Sequence, residues 1–136
     1  MAPRPIQYVS ICSGGGGLDL GVKLAAPNAR CILYVEREAS AAAVLAKAIA
    51  EGYLDDAPIW SDIFTLNPRP WRGRVDWLVG GIPCQPHSTA GKRLGDADER
   101  DLWPVTARLV HDLAPTLVFM ENVPGILRYY HAVIRP

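Results

Sequence analysis

An α/β fold with a doubly wound, mostly parallel sheet is what this sequence predicts, and three observations predict it. Short β-branched and aromatic runs alternate along the chain with segments of helical composition, an order that places helices on both faces of a parallel sheet. The first such run, Ile6 to Cys12, stops at four consecutive glycines, Gly14 to Gly17, as a buried strand does before a tight loop. Polar residues then collect where the apolar runs end, at Glu36, Asp62, Cys84 and Glu121. In a sheet of this kind the carboxyl ends of the strands are where ligands bind.

The elements follow in order. After the glycines, Leu18 to Ala25 has helical character, and Arg30 to Val35 reads as a second strand running into the charged Glu36-Arg37-Glu38. From Ala39 to Glu51 nearly every residue is a good helix former; Ala41, Val44, Leu45 and Ala48 fall on one face, and Gly52 supplies a stop. A third strand is expected over Ile59 to Ile63 with Asp62 at its end, and a surface connection from Asn67 to Arg74. Val75 to Val79 is the fourth strand. Asp101 is placed to cap a helix whose apolar positions Leu102, Val105, Leu109 and Leu113 recur at helical spacing. Leu117 to Met120 is the fifth strand, after which the sheet is expected to stop. There is no internal repeat.

With 136 residues, 49% of them apolar, the chain can bury one sizeable core and is expected to form one domain. Fourteen Lys plus Arg balance fourteen Asp plus Glu, so no global basic field announces a nucleic-acid binder; Arg69, Arg72, Arg74, Lys92, Arg93 and Arg100 are instead concentrated in loops. Cys12, Cys31 and Cys84 form no Cys-x-x-Cys pair, which argues against a disulfide framework and against a zinc site, and points to a reducing compartment. The amino terminus carries no apolar core of signal-peptide length, and no segment approaches a membrane span. A cytoplasmic protein with no membrane partner and no metal is the expectation.

Two sites carry chemistry. Gly80 to Gly91 is a loop that presents Cys84 directly after an apolar strand; Pro83 fixes the local backbone, and the flanking glycines allow close approach of a substrate. A cysteine so placed is set to react. At the first loop, Glu36 lies 19 positions after Gly17 (36 minus 17), where a carboxylate can accept from both hydroxyls of an adenosine ribose. A dinucleotide would produce the same spacing, but the Gly-x-Gly-x-x-Gly fingerprint fails in both registers, with Asp19 or Leu20 at its last position.

The loop Pro83-Cys84-Gln85, followed by Ser88 and Ala90-Gly91, resembles the nucleophile loop of the DNA cytosine-5 methyltransferases. Ser10 to Gly21 is similar to that family's S-adenosylmethionine loop, Ser61-Asp62-Ile63 to its adenine-contacting turn, and Phe119 to Val123 to its Glu-Asn-Val segment. The resemblance covers nearly the whole chain. It implies a fold of the S-adenosylmethionine-dependent methyltransferase type and S-adenosyl-L-methionine as cofactor, contacted by Cys12, Gly14, Gly15, Gly17, Glu36, Asp62 and Ile63. It further implies Cys84 as nucleophile, Glu121 as the carboxyl acting on the base, and Pro83, Gln85, Ser88 and Asn122 as substrate contacts, with a cytosine flipped out of double-stranded DNA as substrate in a restriction-modification setting. Two departures are plain: His87 stands where the family commonly has phenylalanine, and Cys12 where it commonly has an aromatic against the adenine.

The family's arginine pair, further strands and target-recognition region lie beyond Glu-Asn-Val. Residues 1–136 are therefore expected to be a partial catalytic domain lacking target recognition, to which a C-terminal chain could be the complement. The alternatives are a truncated or split, non-catalytic module that binds cofactor or a partner, and a dehydrogenase-like adenine-cofactor enzyme, which the failed fingerprint disfavours.

Overall fold

The structure, a computed structural model, describes residues 4–83 and 102–122. Five strands, β1 (Ile6–Ile11), β2 (Ala29–Val35), β3 (Ile59–Trp60), β4 (Trp77–Gly81) and β5 (Leu117–Glu121), pair in the order β3-β2-β1-β4-β5, all parallel. Three helices accompany them: α1 (Gly17–Ala25), α2 (Ala39–Ala50) and α3 (Trp103–Leu113). The predicted doubly wound sheet is present.

The sheet is covered on both faces because its side chains alternate. On β1, Val9 and Ile11 join Leu33, Val35 and Leu78 in a core closed by Val105, Leu109 and Leu113 of α3. Tyr8 points the other way, into a core with Cys31, Tyr34 and Val79 that Leu18, Val22 and Leu45 of α1 and α2 close. Each fully buried Leu or Ile side chain here, such as Leu45, Leu78 or Leu109, contributes about 1.5–3 kcal/mol of burial.

Strand register decides what reaches the carboxyl edge. Tyr8 pairs with Cys31 but Val9 pairs with Leu33, so Ile32 is an extra residue on β2, a bulge. Beyond it Ile11 aligns with Val35 on one side and with Gly80 on the other, and Gly81 aligns with Glu121. The four strands thus end nearly level. At the opposite edge Asp76 ties the sheet together: its carboxylate takes two hydrogen bonds from the Arg4 guanidinium (2.6 and 2.9 Å) and one from the Gln7 amide (2.8 Å), while its carbonyl accepts from the Thr116 amide (2.7 Å). Those bonds, the Arg4 side chain first, hold its carboxyl below the usual carboxylate range.

Several elements differ from expectation. β3 stops at Trp60 because the next residues fold into a turn around Asp62 instead of continuing extended. β4 begins at Trp77 and runs on through Gly80 and Gly81, later than the apolar run implied. On α2, Val44 is 58% exposed; the side chains packed into the core are Leu45, Ala48 and Ile49, and Ala41 borders the cleft above the sheet. Asp101, the expected cap of α3, lies outside the described residues, and among these the Leu102 carbonyl receives the Thr106 amide (3.0 Å) and hydroxyl (2.8 Å). β5 is an edge strand whose Leu117, Val118 and Phe119 are 44%, 39% and 50% exposed. Among the described residues no helix is long and apolar enough to cross a membrane.

Candidate active site

The strand order reverses between β1 and β4, and a doubly wound sheet opens a crevice at that point because successive crossovers leave in opposite directions. Two adjoining clefts lie there. One, of about 710 Å³, runs over the ends of β1, β2 and β3 and includes Glu36, Asp62, Ile63 and Phe64. The other, of about 440 Å³, runs over β1, β4 and β5 and includes Ser10, Ser13, Gly17 and Glu121. Cys12 and Gly81 border both.

The glycine loop owes its shape to local constraints. Cys12 leaves β1 in the left-handed region, φ 50°, which few non-glycine residues adopt. Gly16, at φ 85°, precedes α1 and packs so closely on Leu54 that a Cβ would collide with that side chain. Beneath the loop, the Ser13 hydroxyl donates to Ser10 Oγ (2.9 Å), and the Ser10 hydroxyl donates to Asp19 Oδ2 (3.0 Å). Asp19 is fully buried, and its Oδ1 has no hydrogen-bond partner among the described residues. Burial therefore raises its carboxyl above the usual range against the opposing pull of Ser10.

Glu36, the first residue after β2, is held from two sides. Its Oε2 accepts the Gly14 amide at 2.6 Å and its Oε1 the Glu38 amide at 2.7 Å. The carboxylate is fixed in orientation, and each oxygen keeps lone-pair capacity. Across the cleft the Asp62 turn is equally constrained: the Asp62 carbonyl accepts from Trp60 Nε1 (2.9 Å), the Thr65 amide (3.1 Å) and the Thr65 hydroxyl (3.0 Å), while Asp62 Oδ1 accepts the Phe64 amide (2.9 Å). Ile63 is buried beneath it. At the end of β5, the Asn122 side-chain amide donates to the Ile82 carbonyl (3.4 Å), linking that strand to the end of β4.

Of the residues singled out from sequence, Cys12, Gly14, Glu36, Asp62, Ile63 and Pro83 border the larger cleft, and Cys12, Gly17 and Glu121 the smaller. Gly15 borders neither; a Cβ there would lie 3.3 Å from Val44. Cys84, Gln85 and Ser88 lie outside the described residues. Gly80 borders the smaller cleft and also serves the sheet, since a Cβ on it would stand 2.6 Å from both the carbonyl oxygen and Cγ1 of Ile11. Sequence reasoning missed the Ser10–Ser13–Asp19 chain and Phe64. Three polar residues around the first strand–loop junction were the available signal for the former; nothing local marked the latter.

The two other thiols are poor nucleophiles. Burial, with Glu36 adding to it, pushes the Cys12 thiol up to about 11, and burial raises that of Cys31 further still. Both stay protonated near neutral pH.

A parallel sheet with an oriented carboxylate after its second strand, an acceptor after its third and a glycine turn after its first places these groups where doubly wound α/β proteins bind their ligands. The family model described as C-5 cytosine-specific DNA methylase matches residues 6–135, and the chain belongs to that family. It is 38% identical over 123 residues to the type II methyltransferase M.NaeI of Lentzea aerocolonigenes, covering 90% of this chain and 29% of that protein. It is 35% identical over 128 residues to M.NgoMIV of Neisseria gonorrhoeae, covering 90% and 38%. The chain thus spans less than two fifths of the length of either relative. In fold it is similar to a DNMT2 variant of Spodoptera frugiperda, with a TM-score of 0.67 at 23% identity, covering 90% of this chain and 37% of that one.

Proposed function

We propose that this chain supplies the cofactor-binding and nucleophile-bearing part of an enzyme that methylates carbon 5 of a cytosine flipped out of double-stranded DNA, using S-adenosyl-L-methionine. The observation that carries the reading is the pair of adjoining clefts, one with Glu36 and Asp62, the other with Glu121, sharing Cys12 and Gly81. The residues present fit an adenosine: Glu36 offers two oriented oxygens for ribose hydroxyls, and Asp62, with one oxygen committed to its own turn, keeps the other for an exocyclic amine. Gly14, Gly17 and Ile63 add backbone approach and an apolar floor.

When bound, the cofactor supplies an electrophilic methyl group. Carbon 5 of cytosine is a weak nucleophile until the ring is activated, and the thiolate of Cys84 provides activation by bonding to carbon 6. The Glu121 carboxyl donates to ring nitrogen 3 and stabilises the charge that develops there. Carbon 5, so activated, would take the methyl group as its bond to the sulfonium sulfur breaks and that sulfur becomes a neutral thioether; a base would remove the carbon 5 hydrogen, the carbon 6–sulfur bond would break, and Cys84 would leave as thiolate. Pro83, Gln85, Ser88 and Asn122 shape the base pocket. A stacked base is out of reach of such a site, so the cytosine leaves the helix first. The protonated state of the Cys12 and Cys31 thiols supports Cys84 as the nucleophile.

A second reading, a cofactor- or partner-binding module that is not active unaided, is favoured by one observation: among the described residues β5 is the last strand of the sheet and carries three exposed apolar side chains, a surface that pairs readily with another segment or chain. Trapping separates the two. DNA containing 5-fluorocytosine blocks loss of the carbon 5 substituent, so an active preparation accumulates an adduct whose cross-linked peptide contains Cys84. We expect none from the 136-residue chain alone and an adduct once the remainder of the fold is supplied in trans. An adduct that survives Cys84→Ser overturns the mechanism.

A further inference from the structure

We propose that Phe64 is the wall against which the adenine ring of the cofactor stacks, taking the place that Cys12 leaves without an aromatic. The inference rests on the cofactor reading above and adds to it the residue that recognises the base by its face. Among the described residues bordering the larger cleft, Phe64 is the one aromatic ring. It is 49% exposed, beside Ile63 at 6%. A solitary exposed apolar side chain is ordinary on a protein surface; this one lines the same cleft as Glu36, a carboxylate suited to ribose, and Asp62, a carboxylate suited to an amine.

The turn that carries it is stiff. Asp62 Oδ1 accepts the Phe64 amide, and the Asp62 carbonyl gathers three donors from Trp60 and Thr65 on either side. The same aspartate that would accept from the exocyclic amine therefore sets the backbone of the residue that would meet the ring. Edge and face of one planar heterocycle are read from positions two apart, Asp62 and Phe64, with the buried Ile63 between them. Aromatic rings stack well on purines because both faces are flat and polarisable.

The test is calorimetric titration of the full 136-residue chain with S-adenosylhomocysteine, comparing wild type with Phe64→Ala, Phe64→Leu and Phe64→Trp, each with its melting temperature measured without ligand. Stacking predicts about tenfold weaker binding for Phe64→Ala, within the span seen for base–aromatic contacts, a comparable loss for Phe64→Leu, and wild-type or tighter binding for Phe64→Trp, with melting temperatures unchanged. Phe64→Ala binding within twofold of wild type overturns the proposal, as does full rescue by leucine, which would reduce the contact to burial. If Phe64 packs on its own chain instead, Phe64→Ala melts lower and binds as wild type. Failure of the cofactor reading looks different: the wild-type chain itself gives no heat of binding, and Glu36→Ala changes nothing.

Discussion

Replacing Glu36 tests the site at a residue whose carboxylate is held from two sides. Both carboxylate oxygens are engaged, Oε2 by the Gly14 amide at 2.6 Å and Oε1 by the Glu38 amide at 2.7 Å. Glu36→Ala removes two charge-assisted acceptors and leaves two amides to be met by water, and any ribose hydroxyls lose their partner too. Hydrogen bonds to a charged group contribute about 1.5–3 kcal/mol each, less where solvent can substitute, so cofactor affinity should fall by about 1–3 kcal/mol, roughly 5- to 150-fold. Glu36→Gln sharpens the prediction. Its amide has one acceptor oxygen, and its NH2 would face one of the two backbone N–H groups, donor against donor. Glutamine should therefore bind S-adenosylhomocysteine almost as poorly as alanine, even though it is nearly isosteric. Calorimetry with that ligand is the assay. Glutamine binding within twofold of wild type would refute the argument from two opposed donors.

Three further outcomes follow from particular residues. Glu121→Gln should leave S-adenosylhomocysteine affinity within about twofold of wild type and abolish methyl transfer in a complemented complex, since Glu121 borders the cleft apart from Glu36 and Asp62; equal losses of binding for Glu121→Gln and Glu36→Ala would contradict that division. Asp19, fully buried with Oδ1 unpartnered among the described residues and with Tyr8, Cys31, Tyr34 and Asp55 facing it, has a folded-state carboxyl raised above the unfolded one, so its contribution is present below the unfolded value and lost as pH rises through the folded one. Asp19→Asn should therefore stabilise the chain at pH 7 by about 1–2 kcal/mol and lose that advantage near pH 4, read from denaturant midpoints at both pH values; a variant less stable at pH 7 than at pH 4, each relative to wild type, would reverse the sign. Gly80→Ala should cost about 1–3 kcal/mol by overpacking Ile11, whereas Gly21→Ala, in an open helical position, should gain about 0.5–1 kcal/mol; equal melting shifts would discount the close approach.

Where the candidate residues stand was legible from sequence because the signals are local. A β-branched run that halts at Gly14–Gly17, a carboxylate directly after the second strand and another near the end of the third need no knowledge of which strands are neighbours. Those features were expected at one edge of the sheet, and Glu36, Asp62 and Glu121 stand there. The helical stripe of α3 was equally readable, since Val105, Leu109 and Leu113 recur at the helix's own period and are buried.

By itself, then, the sequence determined the alternation of strands and helices, the glycine loop and the order of the carboxylates, because each is written within a few consecutive residues. Tertiary structure alone decided the rest. Val44 and Leu45 are adjacent and both apolar, yet only the strand surface beneath α2 selects Leu45 to be buried. The bulge at Ile32 exists only once β1 and β2 are paired, and it brings their ends level. Gly80 is required because Ile11 lies over it, 69 positions away (80 minus 11). Asp19 became a buried, half-satisfied carboxylate, and Phe64 a ring in a cleft, through contacts among segments distant in sequence. Local periodicity records what a residue prefers; which neighbour it meets depends on pairings formed across the chain, and these determine whether a side chain packs, binds or faces water.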